Sequence, residues 1–167
     1  MSRARVSGKG KTRNALLGAA VVVIAAAVAT SGGAAGVRVI DGDTLEVGAE
    51  TIRLWGIDAP EGGQSCARAG VTYDCGAEAR AALSRLVSGR AGRCEARYKD
   101  RYDRTVARCF TGGVDLGGEL VRQGWALDYE RYSKGHYRQD QAEAEGRGLW
   151  LGEFAPPWEW RDPSSKS

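Results

Sequence analysis

A chain of 167 residues is of ordinary size for one domain and is long enough to bury a hydrophobic core without help from a metal. Its apolar fraction of 43% and its mixed charges indicate a globular protein, and the sequence has no repeats or long low-complexity tracts, which excludes a repeat protein. The formal net charge of +3 depends on five basic residues within positions 1–35; without them 19 basic residues face 21 acidic ones, about −2, so the overall charge does not indicate nucleic-acid binding.

The N-terminal segment has the composition of an export signal. A basic stretch, "MSRARVSGKGKTRN", precedes the apolar run "ALLGAAVVVIAAAVA", which extends from Ala15 to Ala29. The run is shorter than the roughly 20 residues that a membrane-spanning helix needs, and small residues suited to cleavage lie at 27–29 and 33–35. We therefore expect residues 1–35 to be a cleaved signal peptide or, as the alternative, an uncleaved N-terminal membrane anchor.

Two strands are predicted next, in "GVRVIDGDTLEVG" and "ETIRLWGID", with a turn at "GAE" between them. Apolar residues alternate along both segments, as they do in strands that bury one face. Taken alone, "DGDT" (41–44) is a favoured sequence for a tight hairpin turn. Because "GAE" already supplies a turn, we expect "DGDT" to lie within the first strand or at a bulge in it, where its two aspartates need another explanation.

Further acids follow the second strand at a rigid corner. Asp43 and Asp58, on neighbouring strand ends, can converge, and carboxylates are the ligands that calcium and magnesium prefer. Pro60 holds Ala59 extended and so places Asp58 and Glu61 on either side of the corner. The carbonyl of Ala59 is available as a further metal ligand. The pattern predicts a site for a hard divalent cation.

The segment "RCEARYKDRYDRTVARCF" predicts a β-hairpin with its turn around "DRYD". With that turn, Cys94 lies opposite Cys109, as a disulfide between antiparallel strands requires. The other two cysteines, Cys66 and Cys75, then pair by elimination, and two disulfides agree with an exported chain. The spacing of the cysteines and the presence of a single histidine argue against a zinc site.

Three helices are predicted, in "GAEARAALSRLVSG" (76–89), "DLGGELVRQGWA" (115–126) and "YRQDQAEAEGRGLW" (137–150). A short strand or turn is expected at "TGGVDL". The tail "PPWEWRDPSSKS" is interrupted by prolines, so we expect it to be flexible from residue 161, with Trp158 and Trp160 packed against the barrel. This order of elements is typical of an α+β domain built around a small antiparallel barrel.

Arginine beside clustered acids is explained if a phosphate binds between them. A guanidinium matches two phosphate oxygens; Arg53 shares a strand with the acids, and Arg104 belongs to the hairpin turn. With a metal, the two arginines would stabilise charge on a pentacoordinate phosphorus, and Glu61 would orient or deprotonate the attacking water. The alternatives are surface ion pairs for the single arginines and a solvated surface for the basic hairpin.

Four segments in order, "VIDGDTLEV", "IRLWGIDAPE", "KDRYDRTVA" and "ELVRQGWA", resemble the thermonuclease family of staphylococcal nuclease-like domains. The resemblance covers roughly residues 37–150. It implies an OB-fold, that is, a five-stranded antiparallel β-barrel with three helices, and a single calcium ion. It also implies hydrolysis of DNA and RNA with little sequence preference, leaving 3′-phosphate ends.

The resemblance assigns roles residue by residue. The positions that match calcium ligands and an acid just outside their shell are Asp43, Asp58, the Ala59 carbonyl and Asp41. The positions that match catalytic residues are Arg53, Glu61 and Arg104. The positions that match substrate contacts are Arg101 and Tyr102, beside a terminal phosphate, and Tyr132, an aromatic residue of the groove.

Two positions depart from the family's pattern. Ala59 replaces a threonine, which leaves a carbonyl ligand in place. Asp103 replaces a glycine, and because aspartate tolerates the left-handed backbone conformation, the hairpin is expected to be kept. The charge of Asp103 beside Arg104 is expected to weaken phosphate binding.

The sequence therefore predicts a periplasmic or extracellular calcium-dependent nuclease. Residues 36–160 would form the nuclease-like domain and residues 161–167 a flexible tail. The protein would act as a monomer on DNA and RNA and would contact a membrane only through a retained leader. The alternative is a catalytically silent OB-fold module that binds nucleic acid or protein, but such a module has no chemical need for the acids and arginines described above.

Overall fold

A computed structural model describes residues 21–24, 36–88, 92–162 and 164 of the chain. Over these residues the fold is a mixed α+β arrangement, which confirms the predicted class. Most of the predicted leader, residues 1–20 and 25–35, lies outside the described residues. Within it, Val21–Ile24 forms a strand, β1. No helix among the described residues is long and apolar enough to cross a membrane.

The main sheet contains seven strands among the described residues. They are β1, β2 (Val37–Val39), β3 (Thr44–Val47), β4 (Glu50–Leu54), β8 (Gly92–Lys99), β9 (Thr105–Thr111) and β10 (Val114–Asp115). Their order is β1-β8-β9-β4-β3-β2, with β10 paired to β9. All pairs are antiparallel except β4 with β9, which is parallel. Two small antiparallel pairs lie apart from it: β5 (Ile57–Asp58) with β11 (Leu127–Asp128), and β6 (Ser65–Arg68) with β7 (Val71–Asp74).

The position of "DGDT" differs from the prediction. Val39 pairs with Leu45, so β2 and β3 form their own hairpin and residues 40–43 connect them. The connection is held by a hydrogen bond from the Ile40 amide to the Thr44 carbonyl (2.9 Å). The prediction of one continuous first strand was wrong because the chain uses both turns. Two turns in succession bring the acids of the first loop back beside β4.

The predicted hairpin is present, and both disulfides are formed. Cys94 on β8 lies directly opposite Cys109 on β9, with their Cα atoms 4.0 Å apart. Cys66 pairs with Cys75, at a Cα separation of 5.7 Å. This second disulfide ties β6 to the start of the first helix. The described residues contain no free cysteine.

Five α-helices and one 3-10 helix lie among the described residues. They are α1 (Cys75–Val87), α2 (Leu116–Arg122), α3 (Glu130–Ser133), α4 (Arg138–Ala142), the 3-10 helix Gly148–Leu151 and α5 (Pro157–Trp160). Asp74 caps α1 through the Ala77 amide at 2.8 Å. The third predicted helix is shorter than expected, because the left-handed backbone of Gly146 and Gly148 interrupts it.

The core lies between the sheet and the first two helices. It contains Leu45, Ile52 and Leu54 from the strands, each at most 2% exposed. Ala79, Ala82 and Leu83 of α1 and Leu116, Leu120 and Val121 of α2 complete it, and all six are fully buried. The apolar alternation predicted for the first strands therefore corresponds to the packed face. Gly42 lies against Ala79, so the loop 40–43 is held close to α1.

Candidate functional site

Three charged side chains form one bonded unit beside the core. The Arg53 guanidinium donates from Nη1 to Asp43 Oδ1 (2.7 Å) and from Nη2 to Asp58 Oδ1 (2.6 Å). Thr44 pairs with Arg53 across β3 and β4, which brings the loop acid Asp43 next to the arginine. Both carboxylates are buried, Asp58 completely and Asp43 to 3% exposure. The structure thus brings together the acids and the arginine that the sequence separates by up to 15 positions.

The surrounding polar groups orient Asp43. Its Oδ1 also accepts a hydrogen bond from the Thr44 hydroxyl (3.0 Å), and its Oδ2 accepts one from the Ala59 amide (3.2 Å). The backbone amide of Asp43 donates to Asp41 Oδ1 (3.0 Å), so Asp41 holds the loop rather than the arginine. Asp41 therefore lies beside the unit but is not bonded to its arginine.

The burial of this unit changes the acid strength of its members. Burial raises the pKa of Asp43 to about 7 despite the attraction of Arg53, and the charges of Asp41 and Asp58 add to the rise. Burial also acts to lower the pKa of Arg53, but the carboxylates of Asp43 and Asp58 outweigh that effect and raise it. The site therefore holds one permanent cation between two acids, one of which takes up a proton easily.

Without divalent cations, the stability of the wild-type chain is expected to fall as the pH rises from about 4 to about 7. In that window Asp43 is still protonated in the folded chain but deprotonated in the unfolded one, whose pKa is near 3.8. The folded state then binds more protons, so stability falls by up to about 1.4 kcal/mol per pH unit. Chemical denaturation of wild type and Asp43→Asn across this range in chelator measures it. The same slope in Asp43→Asn would assign the effect to other groups.

Glu61 is bonded to a residue that the sequence analysis did not single out. Arg161, just after α5, donates from Nη1 to Glu61 Oε1 and to Asp58 Oδ1, the latter at 3.1 Å. Its Nη2 donates to Asp58 Oδ2 at 2.6 Å. The expected flexible tail began at residue 161, but this arginine is anchored at the site. Only its hydrogen bonds to Asp58 and Glu61 identify it, since an isolated arginine carries no sequence signal.

The backbone of Glu61 lies directly against the first helix. A Cβ atom placed on Gly76, in the first turn of α1, would stand 1.9 Å from the Glu61 carbonyl oxygen. The Glu61 backbone amide also donates a hydrogen bond to Gln64 Oε1 (3.1 Å). The position of Glu61 therefore depends on a glycine 15 positions along the chain.

Gly76→Ala is expected to lower the kcat of a reaction that depends on Glu61 about 100-fold while leaving Asp43, Arg53 and Asp58 in place, because a displacement of about 1 Å is enough for such a loss. The methyl group must push the Glu61 backbone away. Gly62→Ala is the matched control, since a Cβ there meets nothing within 4 Å. Steady-state kinetics on folded protein measures both. Equal kcat values in the two variants would show that the Glu61 backbone does not need this contact.

The turn of the main hairpin holds Arg104 through Asp100. Arg104 donates to Asp100 Oδ2 from Nε (2.8 Å), and its Nη2 lies 2.7 Å from the same oxygen. Burial acts to raise the pKa of Asp100, but the hydrogen bonds from Arg104 and the Tyr102 amide outweigh it and lower the pKa. Asp103 has the expected left-handed backbone, with φ 62°. Its side chain is 93% exposed and lies nearer Lys99 than Arg104.

A groove of about 660 Å³ joins the hairpin turn to the acid–arginine unit. Its basic lining residues are Arg53, Arg101, Arg104, Arg131 and Arg161. Asp43 and Asp58 lie behind it and are reached through Arg53 and Arg161. The groove therefore offers several guanidinium groups to an anionic ligand, with buried carboxylates beneath two of them.

Aromatic side chains form the other part of the groove. Tyr129 stacks on Trp158 with ring centroids 5.2 Å apart and an angle of 10° between the rings, and Tyr132 contacts Tyr129 edge-on at 4.9 Å. Tyr102 also lines the groove, with its hydroxyl 2.7 Å from Arg101 Nη2. Trp158 therefore lines the groove, and it also packs the C-terminal segment against Tyr129. Flat rings beside cations suit a ligand that has both bases and phosphates.

The structure places the remaining predicted residues as follows. Ala59 is buried beside Asp43, and the predicted substrate contacts Arg101, Tyr102 and Tyr132 all line the groove, with Tyr132 46% exposed. Among the described residues, no group of three or more His, Cys, Asp or Glu side chains is arranged to hold a metal. Of the residues predicted to hold a metal, the structure brings together the two carboxylates Asp43 and Asp58, with Ala59 next to them in the chain.

Comparison with known proteins gives a consistent result. A sequence profile described as "staphylococcal nuclease homologue" matches residues 51–151. The succinoglycan biosynthesis protein ExoI of Rhizobium meliloti (strain 1021) is 41% identical over 117 residues, which is 67% of this chain and 61% of that protein. An uncharacterized endonuclease of Escherichia coli O157:H7 is 35% identical over 134 residues, 75% of this chain and 82% of that protein.

A micrococcal nuclease of Shigella flexneri is 31% identical over 150 residues, which is 78% of this chain and 81% of that protein. This chain spans less than two thirds of the length of ExoI, but about four fifths of the length of the two nucleases. The region that the profile matches includes Arg53, the corner at Asp58 and the hairpin turn that carries Arg104.

Proposed function

Because the chain belongs to the family of staphylococcal nuclease homologues, we propose that it is an exported, calcium-dependent nuclease. It would hydrolyse phosphodiester bonds of DNA and RNA with little sequence preference and leave 3′-phosphates. The observation that carries this proposal is the bonded unit of Asp43, Arg53 and Asp58 beside a groove lined with arginines and aromatic rings.

The donor set of the acid–arginine unit fits a calcium ion. Each carboxylate has about four lone-pair sites, and Oδ2 of Asp43 and Oδ2 of Asp58 each accept only one hydrogen bond from described residues. Asp43, Asp58 and the Ala59 carbonyl would hold the ion, and carboxylate and carbonyl oxygens are its preferred ligands. When bound, calcium would supply positive charge that stabilises the developing charge on the phosphate.

The side chains of the protein have separate roles in this proposal. Arg53 and Arg104 bind the scissile phosphate from two sides, since each is fixed by carboxylates and both line the groove. Glu61 accepts a proton from the attacking water as the new P–O bond forms. The bond from phosphorus to the 5′ oxygen then breaks, and that oxygen takes up a proton from solvent. The products are a 3′-phosphate and a 5′-hydroxyl.

The groove suits single strands of either nucleic acid. Tyr132, Tyr129 and Trp158 line the groove, and stacking of bases on aromatic rings does not depend on base identity. Phosphate and ring contacts of this kind are available to DNA and RNA alike, which supports activity on both. Contacts to phosphates and ring stacking carry little sequence information, which supports low sequence preference.

Export is supported by the two disulfides and by the N-terminal sequence. Disulfides persist in the periplasm and outside the cell but are rare in the cytosol. The predicted leader would be removed on export or would retain the protein at a membrane as its only membrane contact. We propose that the chain acts as a monomer, since its proposed site uses residues of one chain.

Hydrolysis of single-stranded DNA and RNA by the full chain, purified with its disulfides formed, tests the proposal. Cleavage is expected with calcium and not with excess chelator, and the products are expected to carry 3′-phosphates. Calcium-dependent unfolding curves, measured without substrate, report on the ion independently, because an ion that binds only the folded state raises its stability. A folded chain that binds calcium and single strands but leaves both uncleaved would instead be the silent binding module.

A further inference from the structure

Two groove arginines, Arg131 and Arg161, were assigned no role by the sequence motifs or by the family resemblance, and Arg161 is bonded to the acids Asp58 and Glu61. It follows α5 directly, and α5 is positioned by the stacking of Trp158 on Tyr129. The C-terminal segment thus inserts a guanidinium at the point where Asp58 and Glu61 meet. Its side chain is 38% exposed, whereas that of Arg53 is 17% exposed, so it is the more accessible of the two.

The hydrogen bonds of Arg161 use only part of its donor capacity. A guanidinium has five N–H donors. The end of the group binds both oxygens of Asp58, through Nη1 (3.1 Å) and Nη2 (2.6 Å), and the second Nη1–H binds Glu61. No described residue accepts a hydrogen bond from Nε–H or from the second Nη2–H. The Nε–H and the second Nη2–H point in parallel from one edge of the guanidinium, a geometry that matches two oxygens of a phosphate.

Two other groove arginines, Arg104 and Arg53, show a similar arrangement. Asp100 binds Arg104 through Nε and Nη2 and leaves Nη1 without a described partner. Asp43 and Asp58 bind one Nη of Arg53 each and leave its Nε without a described partner. Arg53, Arg104 and Arg161 are therefore each fixed by carboxylate oxygens and keep other N–H donors for a ligand. Fixing the group in advance reduces the entropy lost when an anion binds.

We propose that Arg161 is a third phosphate-binding residue of the catalytic groove, supplied by the C-terminal segment. It would bind a non-bridging oxygen pair of the scissile phosphate or of the phosphate next to it, both of which belong to the nucleic-acid strand. This inference rests on the proposed function. A phosphate contact by Arg161 would give the segment 157–161 a direct role in substrate binding. From the sequence alone, this segment was expected only to pack against the barrel and to become flexible from residue 161.

Binding of a short fluorescein-labelled single-stranded DNA to the full chain in chelator tests the inference without hydrolysis. For single strands, log K falls with log salt by about 0.7 for each phosphate contact. Arg161→Ala is expected to reduce the slope by about 0.7 and, in a separate assay with calcium, to lower kcat/KM about 100-fold. Arg138→Ala is the matched control, because Arg138 is an exposed arginine paired with Glu130 and does not line the groove.

Arg161→Lys separates charge from geometry and remains informative if Arg161→Ala does not fold. Lysine keeps the charge next to Asp58 but has no fork, so the salt slope is expected to be unchanged and kcat/KM to fall roughly tenfold. Full kcat/KM in Arg161→Lys, or an unchanged slope in folded Arg161→Ala, would overturn the inference. Higher activity or tighter calcium binding in Arg161→Ala would also overturn the inference, since Arg161 would then compete with calcium for the Asp58 carboxylate.

The two proposals fail in different ways. A wild-type chain that binds the strand but does not cleave it contradicts the proposed function, while the salt slopes of the variants still decide the role of Arg161. A wild-type chain that cleaves, with slopes equal in wild type and Arg161→Ala, contradicts only the role of Arg161. A wild-type chain that does not bind the strand overturns both.

Discussion

Arg104→Ala is expected to lower kcat about 1000-fold with little change in stability. An arginine that stabilises charge on a transferring phosphoryl group is worth this much or more, because its effect is exerted in the transition state. The structure supports such a role: Arg104 lines the groove, is held by Asp100 on one edge and keeps the other edge for the substrate. Single-turnover kinetics with calcium measures the loss.

Two further variants show whether charge or the fork of Arg104 matters. Arg104→Lys is expected to recover little of the activity, because a point charge cannot bind two oxygens in one plane. Arg93→Ala, on the same hairpin but outside the groove, removes an equal charge and is expected to keep wild-type activity. If lysine at position 104 restored kcat fully, the residue would act only through its charge. A wild-type kcat in Arg104→Ala would remove it from the mechanism.

Much of the fold follows from local patterns in the sequence. The alternation of apolar residues in the first strands, the spacing of Ala79, Ala82 and Leu83 and the cysteine positions each correspond to an element of the structure. These signals depend on residues that are close in sequence or on one face of one element, so periodicity reveals them. The number of turns was harder to predict. Two adjacent turn sequences competed, and only tertiary pairing decided that both are used.

The candidate site was predictable where motifs carry it and not where distant packing does. The acids and Arg53 lie within one short stretch, and the structure joins them by hydrogen bonds. Arg161 lies 103 positions from Asp58, and its role depends on the docking of α5 through Trp158. The contact of Gly76 with the Glu61 carbonyl is equally nonlocal. Neither residue has a spacing that a single sequence could reveal.

Glu61→Gln is expected to lower kcat about 1000-fold and to leave KM nearly unchanged. General-base catalysis contributes factors of this size, and glutamine keeps the shape of the side chain but cannot accept the proton. Glu61 is suited to the role because its side chain is 37% exposed, whereas Asp58 is fully buried. Glu145→Gln, at an exposed position outside the groove, is the control for the lost charge. A wild-type kcat in Glu61→Gln would assign the base to another group.

The pairing of this variant with Gly76→Ala distinguishes a chemical role from a structural one. If the methyl group at position 76 acts only by displacing Glu61, it removes the same contribution that glutamine removes. Residues that act as a unit show strongly non-additive losses, so the double variant is expected to have nearly the kcat of Glu61→Gln alone. A further loss of about 100-fold, equal to that of Gly76→Ala alone, would mean that the helix contact supports a different part of the site, such as the loop around Asp58.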